Sequence, residues 1–224
     1  MDKRLNLSLA QILEQRCFFL FLALLALLIA LPFLAETAHG RLILTLINVT
    51  VMLTAVAAVG RSRLSLVIAV FLVVPALVLR ILAIGSSMPG YFAVSMAFNA
   101  AFYTYALADL LHYVLQRDVM TGDKLYGAVC AYILIAVLWA NLHGVVQYVY
   151  PGAYGFGGTP KVLDMTELIY FSFTALTTSG FGDVTPLLAQ SRFLTILEMV
   201  TGVMYVAILI ARLTGVYPVV AKKP

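Results

Sequence analysis

The chain has 224 residues, 63% of them hydrophobic and 11% charged, with a mean hydropathy of +1.02. These values place it among polytopic membrane proteins, and the repetition of charge-free runs excludes a single cleaved leader as their source. The net charge of +4 comes from basic residues lying beside apolar segments, without the dense patch that nucleic-acid binding would need.

Taken in order, residues 1–16 carry Lys3, Arg4, Glu14 and Arg16 around a stripe of Leu5, Leu7, Leu9, Ile12 and Leu13, which predicts an amphipathic segment on the membrane surface. Four spans come next within residues 17–116: Cys17 to Leu34, Leu42 to Val59, Leu64 to Ile84 and Tyr91 to Leu115. Polar or glycine-bearing links separate them, among them Glu36 to Arg41, Gly60-Arg61-Ser62-Arg63 and Gly85 to Gly90. After Arg117, Asp118, Asp123 and Lys124, residues 117–224 form a second unit with spans at Leu125 to Tyr148 and Leu187 to Leu213.

Between those last two spans, Pro151 to Pro160 holds too many breakers for regular structure. Asp164 with Glu167 three positions on predicts a capping box opening a helix that reaches Leu176. Twelve residues give roughly 18 Å, too short for a core of about 30 Å, so this helix must enter the membrane and stop. The stretch after it, Thr177-Thr178-Ser179-Gly180-Phe181-Gly182-Asp183, has two glycines two residues apart. Such a backbone can alternate between conformations closed to other residues, and an alternating strand turns successive carbonyls to one side. Several copies around an axis could replace the water shell of a cation.

This region resembles the pore of the potassium-channel family, in its bacterial six-span form. The likeness runs from Leu168 to Gly215: Leu168 to Leu176, the filter-like Thr178-Ser179-Gly180-Phe181-Gly182-Asp183, Val184-Thr185-Pro186, Leu197-Glu198-Met199 with Gly202, and Ile210 to Gly215. The family pattern Thr-Val-Gly-Tyr-Gly-Asp keeps its Thr, both Gly and Asp here, while Ser179 replaces Val and Phe181 replaces Tyr. The resemblance implies an all-α membrane protein of six transmembrane helices per subunit, with a re-entrant pore helix and filter between the fifth and sixth. It also implies a homotetramer, three further copies of the chain closing the pore within membrane lipid. The carbonyls of Thr178, Ser179, Gly180 and Phe181, with Gly182, would bind the permeant ion, potassium or also sodium, with no other cofactor. Thr174, Thr177, Asp183 and Glu198 would support the filter. Thr201, Gly202, Tyr205 and Ile208 or Leu209 would line the cavity or act as hinge on the inner helix, although a lone helix glycine such as Gly202 is more often a close-packing site. Residues 117–224 would then be the pore domain.

Sidedness comes from charge. Six spans put both termini on one face, with 10 of the 14 basic residues: Lys3, Arg4, Arg16, Arg61, Arg63, Arg117, Lys124, Arg212, Lys222 and Lys223. That predicts cytoplasmic termini, in the plasma membrane of a bacterium by the resemblance, with the filter end outside. The fourth span has no arginine array and Arg80 stands alone in the third, so the usual voltage sensor is not expected. The sequence stops soon after Arg212, short of a ligand-binding cytoplasmic domain, so gating would lie in filter and membrane or in sequence beyond this one.

Other readings fare worse. A carrier would show two related halves with paired broken helices, and only one re-entrant segment is found. An enzyme would need convergent groups, whereas Asp109, His143 and Glu198 are scattered along the sequence. Cys17 and Cys130 read as buried small hydrophobes, and His39, His112 and His143 lack ligand-like spacing.

Overall fold

The computed structural model describes residues 16–34, 40–59, 63–85, 89–116 and 121–216. Residues 1–15 of the amphipathic segment expected at 1–16, and most of the polar links between spans, lie outside the described residues, while Arg16 opens the first long helix. Six long helices fill the rest: α1 (Arg16–Leu34), α2 (Gly40–Val59), α3 (Arg63–Gly85), α4 (Pro89–Val114), α5 (Gly122–Val149) and, after a short helix α6 (Met165–Leu176), α7 (Ala189–Val216).

Four of these are long and apolar enough to cross a membrane by length and composition: Arg16–Leu34, Leu64–Ala83, Gly122–Val149 and Ala189–Arg212. In α2 the apolar stretch among the described residues is shorter, Thr45–Ala58. The α4 helix is long but more polar, with Ser95, Asn99, Thr104, Asp109 and four tyrosines along it.

The α5 helix is the centre of the molecule, packing against α1, α4, α6 and α7. Its N-terminus is built from local chemistry. Thr121 caps the helix, its hydroxyl accepting from the Lys124 N–H at 3.3 Å. Asp123 in the first turn accepts from the Cys17 N–H at 3.0 Å and from the Tyr113 hydroxyl at 3.0 Å. A single carboxylate thus joins the starts of α1 and α5 to the end of α4. Glycines let the helices close up further along. A Cβ at Gly127 would stand 3.1 Å from Val114 and 3.2 Å from the Cys17 sulfur, and one at Gly144 would stand 2.2 Å from the Met96 sulfur. Val114 meets the start of α5 and Met96 meets its end, so α4 and α5 run antiparallel along their length.

On α1 the buried residues Leu20, Leu24, Leu27 and Leu31 recur at helical spacing, while Phe19, Leu22, Leu25 and Ile29 are exposed. One face therefore meets protein and the opposite face is suited to lipid.

Between α5 and α6 the chain forms β1 (Tyr154–Phe156) and β2 (Thr159–Pro160), and after the filter-like stretch it forms β3 (Val184–Pro186). The strand order is β2-β1-β3, both pairings antiparallel, with Gly155 opposite Pro160 on one side and Thr185 on the other. The breaker-rich loop that the sequence suggests at 151–160 is thus a small sheet. It draws its order from β3, which lies nearly thirty residues downstream.

Candidate functional site

The site is made by α6 and the stretch 177–183 that leaves its C-terminal end. Asp164 caps α6, its carboxylate accepting from the Glu167 N–H at 2.9 Å while the Glu167 carboxylate accepts from the Asp164 N–H at 3.1 Å. Lys161 donates to Glu167 at 2.5 Å, and this bond raises the ammonium above its ordinary range. Two orphan N–H groups of the first turn are satisfied, so a twelve-residue helix has a fixed start.

The C-terminal end of α6 is wound in a different way. The Thr177 N–H bonds the Phe173 carbonyl, the Thr178 N–H bonds Ala175, and the N–H groups of Ser179 and Gly180 both bond Thr174, at 2.9 and 3.2 Å. Four successive donors are thereby turned back onto the helix. Positive φ values then alternate along the chain: 57° at Thr178, 51° at Gly180 and 82° at Gly182. For the β-branched Thr178 that conformation is strained, a condition concentrated at functional sites. Among the described residues no hydrogen bond ends on the carbonyls of Thr178, Ser179, Gly180 or Phe181, and residues 177–182 are exposed in the single chain.

Side chains brace this stretch from behind. The Thr177 hydroxyl donates to the Phe173 carbonyl at 2.7 Å, and Ser179 Oγ lies 2.8 Å from it, so Ser179 is the donor of that pair. Thr174 bonds back to the Phe171 carbonyl at 2.8 Å. Phe181 is 73% exposed, and its ring stacks on Tyr170 at 6.4 Å with planes 6° apart. The Tyr170 hydroxyl donates to Asp183 at 2.8 Å, and the Val184 N–H donates to the other carboxylate oxygen at 2.9 Å. Those donors hold the Asp183 carboxyl below the usual carboxylate range, the Tyr170 bond contributing most. The Asp183 carbonyl accepts from Gly157, tying this end to the sheet.

On α7, Glu198 is fully buried against His143 of α5 and Ser172 of α6. Gly202 lies where a Cβ would stand 2.0 Å from the Leu176 carbonyl, so α7 touches the backbone end of α6 there. Thr201 bonds within its own helix, to Leu197 at 2.7 Å. Tyr205 turns toward α5, donating to the Ala128 carbonyl, while Ile208 is exposed. Sequence reasoning missed His143, Tyr154, Tyr170 and Ser172. For His143 a signal existed: an ionisable residue in an apolar helix needs a partner, and Glu198 needs one too.

A short capped helix that stops, an exposed stretch whose carbonyls accept no hydrogen bond among the described residues, and two long apolar helices on either side make up the site. Residues 128–217 match the family model described as an ion channel. The voltage-gated potassium channel Kch of Escherichia coli (strain K12) is 22% identical over 161 residues, which is 71% of this chain and 34% of that protein. The chain thus spans about a third of the length of this curated relative. No solved structure matches it.

Proposed function

We propose that the protein is a homotetrameric cation channel, potassium-preferring, conducting passively through a filter of backbone carbonyls. Alternation of positive φ at Thr178, Gly180 and Gly182, with no hydrogen bond among the described residues ending on the carbonyls of residues 178–181, is the observation that carries this reading. Unpaired backbone at membrane depth requires a water-filled path or an ion, and an alternating strand supplies one row of oxygen ligands. One chain gives one row, so four copies about an axis would complete the ring.

The rest of the architecture accords with that assignment. The six long helices are the six spans, and α6 with residues 177–183 is the pore loop between the fifth and sixth. The C-terminal end of α6 directs its partial negative charge at the cavity below the filter. The outer face of α7, with Phe193, Ile196, Val200 and Val203 exposed in the single chain, would be covered by neighbouring copies. Both termini lie in the cytoplasm by the distribution of basic residues. The relative is named as voltage-gated, whereas α4 of this chain carries no lysine or arginine, so arginine-driven voltage sensing is not part of the proposal.

A weakly selective monovalent cation channel is the second reading, favoured by Ser179 where the family places valine. Purified protein in liposomes under a potassium gradient tests the proposal, with sodium in a parallel series. Potassium flux above sodium flux is expected. Equal fluxes would support the weakly selective reading, and a monomeric protein without flux would end both.

A further inference from the structure

The described residues contain a buried polar cluster between the pore and the protein behind it. His143 and Glu198 are both fully buried. His143 Nδ1 lies 2.6 Å from the Tyr154 hydroxyl and its Nε2 lies 2.7 Å from Glu198 Oε2. The other carboxyl oxygen, Oε1, meets Ser172 Oγ in a short contact, and Ser172 Oγ also lies 2.6 Å from the Ala136 carbonyl.

Counting protons fixes the direction of these bonds. A main-chain carbonyl can only accept, so the Ser172 hydroxyl spends its one proton on Ala136. Ser172 Oγ and Glu198 Oε1 then need a proton between them, and it must come from the carboxyl group. Glu198 Oε2 is left to accept from His143 Nε2–H, and His143 Nδ1 is left to accept from Tyr154. Every donor has one acceptor, and no group carries a charge. An ionised glutamate would leave a buried charge and a bare oxygen–oxygen contact, both costly in an apolar interior.

We propose that Glu198 is a protonated carboxylic acid, positioned by His143, in a one-way hydrogen-bond chain running Tyr154 to His143 to Glu198 to Ser172 to Ala136. The titratable groups facing His143 are Tyr154 from β1 and Glu198 from α7. The other packed elements bring Ser172 and Phe171 of α6, at 5.1 Å between the His143 and Phe171 rings, and Met96 of α4 against the neighbouring Gly144. The chain of bonds joins the inner helix to both flanks of the filter. Ser172 belongs to the helix that enters the filter, and Tyr154 sits opposite Pro186 on the strand that leaves it. His143 and Glu198 are therefore positioning residues for the filter, a consequence that rests on the channel function proposed above.

Infrared spectroscopy of the purified full-length protein in lipid at neutral pH tests the proton directly. A carboxylic-acid carbonyl band present in the wild type and lost in Glu198→Gln is expected. A difference confined to carboxylate bands would overturn the proposal. His143→Leu should shift the acid band, and an unshifted band would remove His143 from the role. Thermal melting adds a rescue arm, because a glutamine amide donates to Ser172 and accepts from His143 as the acid does. Glu198→Ala should lower the melting temperature and Glu198→Gln should recover most of the loss. A glutamine as damaging as alanine would refute the neutral chain. None of these readouts needs ion flux, so a wild-type protein that fails to conduct would defeat the channel reading while the proton chain is still decided.

Discussion

Tyr170 and Asp183 clamp the C-terminal end of the 177–183 stretch: the tyrosine hydroxyl donates to the carboxylate at 2.8 Å while its ring lies parallel to Phe181. One side chain of α6 therefore holds both the aromatic residue within the Gly-Phe-Gly sequence and the acidic residue that ends it. This bond depresses the Asp183 carboxyl, so the ionised form is favoured in the folded state. For a depressed carboxylate the stabilisation is present above the unfolded value, about 3.9, and is lost as pH falls through the folded value. Tyr170→Phe removes the largest contribution to that depression. The acid limb of potassium flux against external pH should therefore move upward in Tyr170→Phe, toward ordinary carboxylate values, with neutral-pH flux reduced. An acid limb unmoved by the substitution would separate Asp183 from the filter's integrity.

The glycines divide into two kinds, and substitution should separate them. At Gly180 nothing lies within 4 Å of a Cβ, but φ is 51°. Alanine there meets a left-handed penalty of about 1–2 kcal/mol in a stretch that packs against little. Gly180→Ala is expected to assemble and to lose potassium flux. At Gly202 the obstacle is the Leu176 carbonyl, 2.0 Å from the added carbon and part of the main chain. Gly202→Ala must push α7 away from α6, at a cost of about 1–3 kcal/mol or more, and should lower the melting temperature and the yield of tetramer. Equal melting of the two variants in detergent would refute this division.

The start of α6 offers a milder test. Asp164 accepts from the N-terminal turn and is itself exposed, so Asp164→Ala removes a cap without opening a cavity. A loss of about 0.5–2 kcal/mol is expected, read as a lowered melting temperature. Asp164→Asn should cost much less, since asparagine caps nearly as well. The same ordering should appear in the fraction of tetramer surviving mild heating.

The readability of these features differed with the range of the physics behind them. Helices such as α1 and α5 are set by apolar length and local caps, and the sequence places their ends within a few residues of where they lie. The capping box at Asp164 and Glu167 is similarly local. The β1–β3 pairing is not, because Tyr154 and Pro186 are brought together only by the folded turn between them. The partners of Glu198 were hidden for the same reason: His143 is 55 residues away and Ser172 is 26 away. A buried carboxyl group announces that partners exist, but burial alone does not say which residues they are. Ser179 shows the converse. It departs visibly from the family's valine, and its hydroxyl finds a partner only two residues away, Thr177 at 2.8 Å.

That pair leads to the last prediction. The Ser179–Thr177–Phe173 hydrogen bonds link the filter stretch to α6 through hydroxyl groups, where the family's valine would pack by shape alone. Ser179→Val removes the Ser179 hydroxyl and restores a branched side chain, while Thr177 keeps its bond to the Phe173 carbonyl. Phe181→Tyr restores a phenol beside Tyr170. If ion preference depends on how firmly the carbonyl row is held, the double substitution should raise the potassium-to-sodium permeability ratio several-fold. A ratio change of tenfold corresponds to about 1.4 kcal/mol between the two ions in the filter, a difference that one or two hydrogen bonds can supply. Reversal potentials under bi-ionic conditions give the ratio for the wild type, each single variant and the double variant. A ratio that falls in Ser179→Val would mean that the hydroxyl pair, and not valine packing, is what holds the filter in this chain.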